Sequence, residues 1–584
     1  MKKGMTGGNA LNNKQIAGTL HALADYMEIK GENVFKVNAF RRAARTIENS
    51  RFQIAEALDR LPELPGIGKG TAEVIREIVA TGTSRYLEEL KAELPPELPL
   101  LLKLPGLGPK SIHTLYHKLS VTNLDELKQA AEKKQIQTLA GFGSKKEKKI
   151  LEAIEQFQKR PERFLLHEAM AVAAVIQQRL QAIPGVEKVE LAGSIRRFKE
   201  TIKDIDFVLA TNQPAEVAER IAQLPEVTQV VGQGETKVSI VVDTEGLVMG
   251  VDVRLVSPDQ FGSALSHFTG SKEFNIRIRQ RAKQYGWKVS EYGIYDAETG
   301  QTAKFEKESD FFTHLHLPFI PPELREDRGE MERADQSLLP SLIRLEDYRG
   351  DLHAHTLYSD GAHSIKDMAL AAKAKGYEYM AVTDHSRSLK VAGGLTVDEV
   401  YEQWEEIDRL NREGLGIQIL KGAEVDILAD GTLDYPDDLL KQMDLVIASV
   451  HTQFRQDEAT MTRRIIQAME NPYVNIIAHP TGRLLLRRDA YDVDVDRLFQ
   501  AARETGTILE LNANPHRLDL NDRLLKKAKE EYGLKFTINT DAHATAEYDS
   551  IIYGIATARR GWLEKEDVIN AYPLDRLKAV LNKN

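Results

Sequence analysis

In the C-terminal third of the chain, six histidines and three acids stand at or beside the ends of short apolar runs: His353, His355, His385, His451, His479 and His543, with Asp360, Glu424 and Asp541. Imidazole nitrogen and carboxylate oxygen suit Zn2+, Mn2+ or Fe2+. Nine such ligands exceed what one ion takes, so two or three metals are expected. Clustered ions of this kind turn water into hydroxide and clamp both oxygens of an in-line displacement, which is phosphoester hydrolysis. A second set of acids lies in the middle of the chain. Asp204 and Asp206 are two apart in DIDFVLA, so on a strand their carboxylates share a face, and Asp252 sits in the alternating run VMGVDVRLV, read as a neighbouring strand. Carboxylates gathered toward a core are prohibitive unless they hold cations. Three at this spacing suit two Mg2+ ions and a triphosphate.

A third pattern repeats near the N-terminus: LPGIGKG at 64–70, LPGLGPK at 104–110 and LAGFGSK at 139–145. A Gly-apolar-Gly turn followed by a helix exposes backbone N–H groups and the positive helix end, a phosphate seat blind to base identity. Gly66, Gly68 and Lys69, Gly106, Gly108 and Lys110, and Gly141 and Gly143 are the candidate contacts. The third copy lacks the proline of the other two.

Elements to position these groups follow from periodicity. Residues 14–160 read as helical, with apolar residues at helical spacing in Ile16–Tyr26 and Ala39–Ile47. Val189–Ala192 and Ile205–Ala210 read as short strands. Seven buried strands are expected in the last third, over 348–355, 379–385, 417–426, 445–451, 474–479, 507–512 and 535–543, alternating with helices as parallel βα units whose C-terminal ends converge on one face. Residues 317–347, rich in Pro, Glu and Arg, read as a linker. The net charge of −10 conceals an asymmetry: residues 1–160 hold 26 Lys/Arg against 19 Asp/Glu, a basic head on an acidic body. Cysteine is absent, which excludes disulfides and thiolate ligands. No apolar run is long enough to span a membrane, and the start MKKGMTGGNALNN has no apolar core for a secretory signal, so a soluble cytoplasmic protein is expected.

These motifs carry a resemblance. The three turns resemble the helix-hairpin-helix motif of DNA-binding proteins. Gly193-Ser194, Arg196-Arg197, Asp204-Ile205-Asp206, Val251-Asp252-Val253-Arg254 and HFTGSKEFN at 267–275 resemble the palm and thumb of family X DNA polymerases, and the C-terminal third is similar to the PHP (polymerase and histidinol phosphatase) domain appended to bacterial members. The resemblance implies a multidomain α+β and α/β architecture. Its parts are helical domains over 1–90 and 91–160, a nucleotidyltransferase palm with a mixed sheet over 161–260, a small thumb over 261–335, a linker over 336–347 and a distorted (β/α)7 barrel over 348–584. It further implies gap-filling DNA synthesis from dNTPs on gapped or primer-template DNA, with Mg2+ or Mn2+ on Asp204, Asp206 and Asp252, the last also the base for the primer hydroxyl. Gly193, Ser194 and Arg197 would hold the triphosphate, His267, Phe268, Gly270 and Asn275 the incoming nucleotide, and Arg279 the template strand. For the barrel it implies two or three Mn2+ or Zn2+ ions and a 3′-5′ exonuclease, with abasic-site cleavage as an extension. One ion would sit on His353, His355, Glu424 and Asp541, a second on Glu424, His451 and His479, and a third on Asp360, His385 and His543. A monomer is expected. His267 stands where animal members have Tyr, and Gly70 and Val74 stand where lyase members have lysines, so the imine chemistry of an abasic-site lyase lacks its nucleophile there. The alternative is mainly a PHP nuclease or phosphoesterase whose polymerase-like region mostly serves DNA delivery.

Overall fold

A computed structural model describes residues 13–582 apart from 49, 51–53, 65, 96, 97, 105 and 160–162. The N-terminal stretch read for a secretory signal, up to Asn12, and the prolines of the first two turns, Pro65 and Pro105, lie outside the described residues. The fold divides into two compact units: the chain up to residue 161 with Thr356–Ser364, and Glu162–His355 with Ile365–Asn584.

The first unit is helical, and its apolar residues recur at three- and four-residue steps that form one face per helix. Ile16, Leu20, Leu23 and Met27 of the helix Asn13–Lys30 meet Phe40, Ala44 and Ile47 of Val34–Glu48 and Ile75 and Ile78 of Lys69–Thr81 in one core. A second core gathers Leu101, Leu104, Leu107, Ile112, Leu115, Phe142 and Ile150.

In the second unit, a five-stranded sheet runs in the order Val186–Ala192, Asp204–Thr211, Leu247–Val256, Lys237–Thr244, Val227–Gln233. All its pairings are antiparallel except that of Asp204–Thr211 with Leu247–Val256, so the sheet is mixed. Alternate side chains serve opposite faces. Phe207, Leu209, Val251 and Val253 pack on the helix Leu166–Gln181, while Val208, Ala210 and Val256 pack on Phe261–Thr269.

A three-stranded sheet, Trp287–Ser290, Gly293–Asp296 and Thr302–Ala303, follows with the helices Lys272–Lys283 and Glu308–His314. The stretch 317–347, read as a linker, does not stand free: Leu317, Ile320, Leu324, Met331, Ala334 and Leu342 complete this core with Phe274, Phe311 and Phe312. Some of its charged residues mislead because they are buried: Glu323, Arg325 and Glu330. Arg325 is fully buried and donates to Glu308 Oε1 at 2.5 Å, and Glu308 in turn accepts from Arg196 at 2.8 Å.

The seven expected strands form a single parallel sheet in chain order: Gly350–Asp351, Tyr379–Val382, Gln418–Asp426, Leu445–Ser449, Ile476–Ile477, Ile508–Asn512 and Phe536–Asn539. A parallel bridge between Ala354 and Ala542 brings the first run against the last, so the barrel is nearly closed. Most strands are shorter than the apolar runs. In five of the seven runs the final residues lie beyond the end of the strand, whereas the runs ending at Asp426 and Asn512 stay paired to their last residue; His479 at φ +28° and Asp541 at φ +54° take left-handed backbone conformations. Among the described residues no helix is long and apolar enough to cross a membrane.

Candidate metal centres and nucleic-acid contacts

Parallel register sets Asp206 directly beside Asp252 and Asp204 beside Gly250. Asp252 is oriented by Ser239 Oγ, which donates to Oδ1 at 2.6 Å, and by Lys237 Nζ at 2.7 Å from Oδ2. Burial, then the charges of Asp252 and Asp204, push the Asp206 carboxyl up to about 6. Crowded like charges of this kind are what a cation relieves, so the three acids fit divalent ions. Room for them comes from glycine. A Cβ on Gly193, where φ is +61°, would fall 2.0 Å from Asp206 Oδ2, and one on Gly250 would fall 2.8 Å from Asp204 Oδ1. Gly193→Ala is therefore expected to displace Asp206. A shift of about 1 Å in a reacting constellation costs on the order of 100-fold, to be read as lost primer extension with an unchanged barrel activity; a fully active Gly193→Ala would show that the carboxylate tolerates the move.

At the barrel mouth, one fully buried carboxylate is faced by five imidazoles. Glu424 Oε2 lies 3.4 Å from His353 Nε2, 3.5 Å from His355 Nε2 and 2.9 Å from His385 Nδ1, and its Oε1 lies 3.3 Å from His451 Nε2 and 3.1 Å from His479 Nε2. Asp541 Oδ1 approaches His355 Nε2 at 3.1 Å and His353 Nε2 at 3.4 Å. The rings of His543 and His385 stack on His355 at 4.2 and 4.4 Å. Ligand atoms within 4.8 Å of one another form three groups: His353, His355, Glu424 and Asp541; His385, Glu424 and His451; and His355, Asp360, His385 and His543. The first group contains the same four residues as the first expected site. In the second, His385 joins Glu424 and His451 while His479 stays outside the group, and His355 enters the third.

The donor set fits metal ions. Glu424 Oε2 and His353 Nε2 are buried with no hydrogen-bond partner, an arrangement that costs free energy unless a cation takes up their lone pairs. The other edges of the ligands are fixed. His353 Nδ1 bonds Glu510 Oε1 at 2.7 Å and His451 Nδ1 bonds Asp426 Oδ1 at 2.5 Å, pairings that leave both Nε2 atoms aimed at Glu424. Glu510 is fully buried and also accepts from the His479 backbone N–H at 2.8 Å and from the amides of Asn512 and Asn539. Glu510→Ala frees His353 to rotate and is expected to weaken Mn2+ binding by about 10- to 100-fold; an unchanged affinity by calorimetry would remove Glu510 from the orienting role.

Burial opposes charge on His353, yet Glu510, Asp541 and Glu424 hold its pKa well above the usual imidazole value. His451, likewise buried, is raised to about 10 by Glu424 and Asp426. Before metal enters, both are protonated near neutral pH, whereas ligation requires the neutral ring. Loading must then expel protons, so Mn2+ affinity should fall as pH falls. Calorimetry in buffers of unlike ionisation heat should register net proton release; zero release would contradict the assignment.

Comparison with known proteins gives the family. Residues 264–326 match the DNA polymerase beta thumb, 351–514 the PHP domain, 11–84 a helix-hairpin-helix domain and 98–156 a SAM-like helix-hairpin-helix tandem. A Bacillus subtilis (strain 168) protein, DNA polymerase/3'-5' exonuclease PolX, is 48% identical over 574 residues, covering 98% of this chain and 100% of that one. The chain belongs to the PolX family. Probable phosphatases of Thermoanaerobacter sp. (strain X514) and Syntrophotalea carbinolica are 30% and 29% identical, each over 38% of this chain and 89% and 90% of their own.

In this PolX family member the remaining expected contacts fall as follows. Gly193 and Ser194 open the short helix Gly193–Arg196 beside Asp206. Arg197 is tied by its Nε to Glu326 at 3.0 Å and by Nη1 to the Thr269 carbonyl at 2.8 Å. His267 and Phe268 meet edge to face at 5.0 Å, Arg254 covers Phe268 at 4.7 Å, and burial lowers the His267 pKa, leaving a neutral ring. Gly270 leaves space for Asn275, whose Oδ1 would lie 2.9 Å from an added Cβ and whose amide donates to the His267 carbonyl at 2.7 Å. Arg279 is exposed. In all three N-terminal turns the residue between the glycines, Ile67, Leu107 or Phe142, is buried and its N–H donates to Leu64, Leu104 or Leu139, while the glycines are exposed. Gly66, Gly106 and Gly141 share φ near +85°, which only glycine adopts freely, and Gly68 and Gly108 cap the helices begun by Lys69 and Pro109. The third turn differs at Gly143, where φ is +42°.

Sequence reasoning missed Glu510, Asp426, Ser239 and Lys237. Glu510 and Asp426 did leave a signal: each is an acid on a strand two positions from another polar group that faces the same mouth, Asn512 and Glu424 respectively.

Proposed function

We propose that the chain is a DNA-directed DNA polymerase of the repair type that fills short gaps and, through its barrel, a metal-dependent 3′-5′ exonuclease. The observation that carries the reading is the presence of two separate constellations in one chain: three carboxylates on paired strands, and an imidazole-rich pocket around Glu424. In this reading residues 1–90 and 91–160 grip the DNA backbone through exposed glycine turns, 161–260 act as palm, 261–335 as thumb and 348–584 as the phosphoesterase barrel.

Divalent ions, Mg2+ or Mn2+ on the palm acids and two or three Mn2+ or Zn2+ in the barrel, supply charge neutralisation and an activated water. The chain's own groups do the rest. Asp252, fixed by Ser239 and Lys237, accepts the proton of the primer 3′ hydroxyl. Arg197 has two of its donors held by Glu326 and the Thr269 carbonyl, so its free edge is rigidly presented to the triphosphate with Ser194 and the Gly193 turn. Phe268, Gly270 and Asn275 line the nucleotide site, with neutral His267 where ribose discrimination is decided, and Arg279 follows the template. In the barrel, Glu510 and Asp426 hold His353 and His451 in the tautomers that ligate. The partners are gapped or primer-template DNA and dNTPs, the protein acts as a cytoplasmic monomer, and abasic-site cleavage is an extension of the barrel chemistry.

Extension and 3′ digestion of a gapped primer-template with Mg2+ or Mn2+, compared among wild type, Asp206→Asn and His353→Ala, tests the reading. Each variant should lose one activity and keep the other; joint loss or joint retention would refute it.

A further inference from the structure

Between the five-stranded sheet module and the barrel, within the second unit, lies a cavity of about 310 Å3, at the small end of ligand cavities, which run roughly 300–1,000 Å3. One wall is the segment Phe198–Glu200 that follows Arg197; the other is Asn521–Arg523 with Thr557 and Arg560 of the barrel. Its two acids are neutralised by arginines. Glu200 is held in a fork by Arg483 at 2.8 and 3.2 Å, and Asp522 Oδ2 takes Arg560 at 2.6 Å and Arg328 at 3.0 Å. Arg560 is further committed to Glu326 at 3.0 Å and to the Arg197 carbonyl at 2.6 Å. Two cations are left over. Among the described residues neither Lys199 nor Arg523 has an ion-pair partner, although Lys199 is partly buried in the wall and Arg523 stands exposed at the edge. Burial, then the nearby Arg560, lowers the Lys199 pKa against the opposing pull of Glu326 and Asp522.

We propose that this cavity binds a small phosphate-type anion, orthophosphate or pyrophosphate, between Lys199 and Arg523. Its size and its surplus of positive charge match such an anion, whereas a duplex backbone is too wide for a space of this volume between two walls. A bound anion would join the segment carrying Arg197 to the barrel helix that starts at Asp522, adding a bridge to the one Arg560 already makes.

Calorimetric titration of the full chain with inorganic phosphate and with pyrophosphate, in a chelator so that neither metal centre competes, tests the site. Wild type should bind. Lys199→Ala and Arg523→Ala should each weaken binding by roughly tenfold or more, the loss of one charge-assisted hydrogen bond, and Lys199→Arg should restore most of it. Arg523 is exposed, so its variant reports on the site without disturbing the fold. Binding that is absent in wild type, or equal in wild type and both alanine variants, overturns the proposal. So does a Lys199→Ala variant that loses affinity for a short oligonucleotide while keeping its affinity for phosphate, because the site would then belong to the DNA backbone.

Discussion

Replacing Asp206 with asparagine is expected to cut primer extension by on the order of a thousandfold, the several kcal/mol that losing a carboxylate that would hold a catalytic ion removes from transition-state stabilisation, with 3′ digestion unchanged. The substitution is nearly isosteric, so the sheet and the Gly193 cradle should persist. A second readout separates this from general damage. The Asp206 carboxyl is raised to about 6 by burial and by Asp252 and Asp204. A carboxyl raised on folding favours the native state while it is protonated and loses that advantage as pH climbs from the unfolded value to the folded one. Without metal, the wild-type melting midpoint should therefore drop between roughly pH 4 and 6. Asp206→Asn should flatten that drop and melt no lower than wild type near neutrality. A variant that melts lower at neutral pH, or that still extends primers, would mean that Asp206 is not the crowded ligand described.

The barrel offers the complementary case. His353→Ala removes a ligand that touches both Glu424 and Asp541, and it also strips Glu510 of one of its donors. Loss of the first metal group should lower 3′ digestion by on the order of a thousandfold and reduce bound Mn2+ by at least one equivalent, while extension persists because Asp204, Asp206 and Asp252 lie on a different sheet. Digestion at wild-type rates by a His353→Ala protein of full metal content would dissociate the cluster from the nuclease.

Much of this was legible in the residues. Two carboxylates two positions apart in DIDF could only share a face if that run was a strand, and the alternation in VMGVDVRLV made its partner plain. The seven runs of the barrel were legible because buried parallel strands are nearly continuous apolar stretches. What the sequence could not give was register and local backbone. Which imidazole shares an ion with Glu424 depends on where each strand ends, and residue type alone does not fix the left-handed turns at His479 and Asp541, although Asp and His favour them. Glu510 was passed over although Asn512 stands two positions on, because its role shows only when His353, His479 and Asn539 are seen converging on it. The stretch 317–347 misled for the opposite reason: its charges suggested solvent, yet Arg325 and Glu308 neutralise each other in a core they help to build.

The most direct test of two metal centres on one chain is anomalous diffraction at the manganese edge from crystals grown with Mn2+. Peaks are predicted in two separate places, one between the carboxylates of Asp206 and Asp252, and a cluster around Glu424 within bonding distance of His353, Asp541 and His451. A map with manganese in only one of them, or with Asp252 turned away from the ion held by Asp206, would contradict the account.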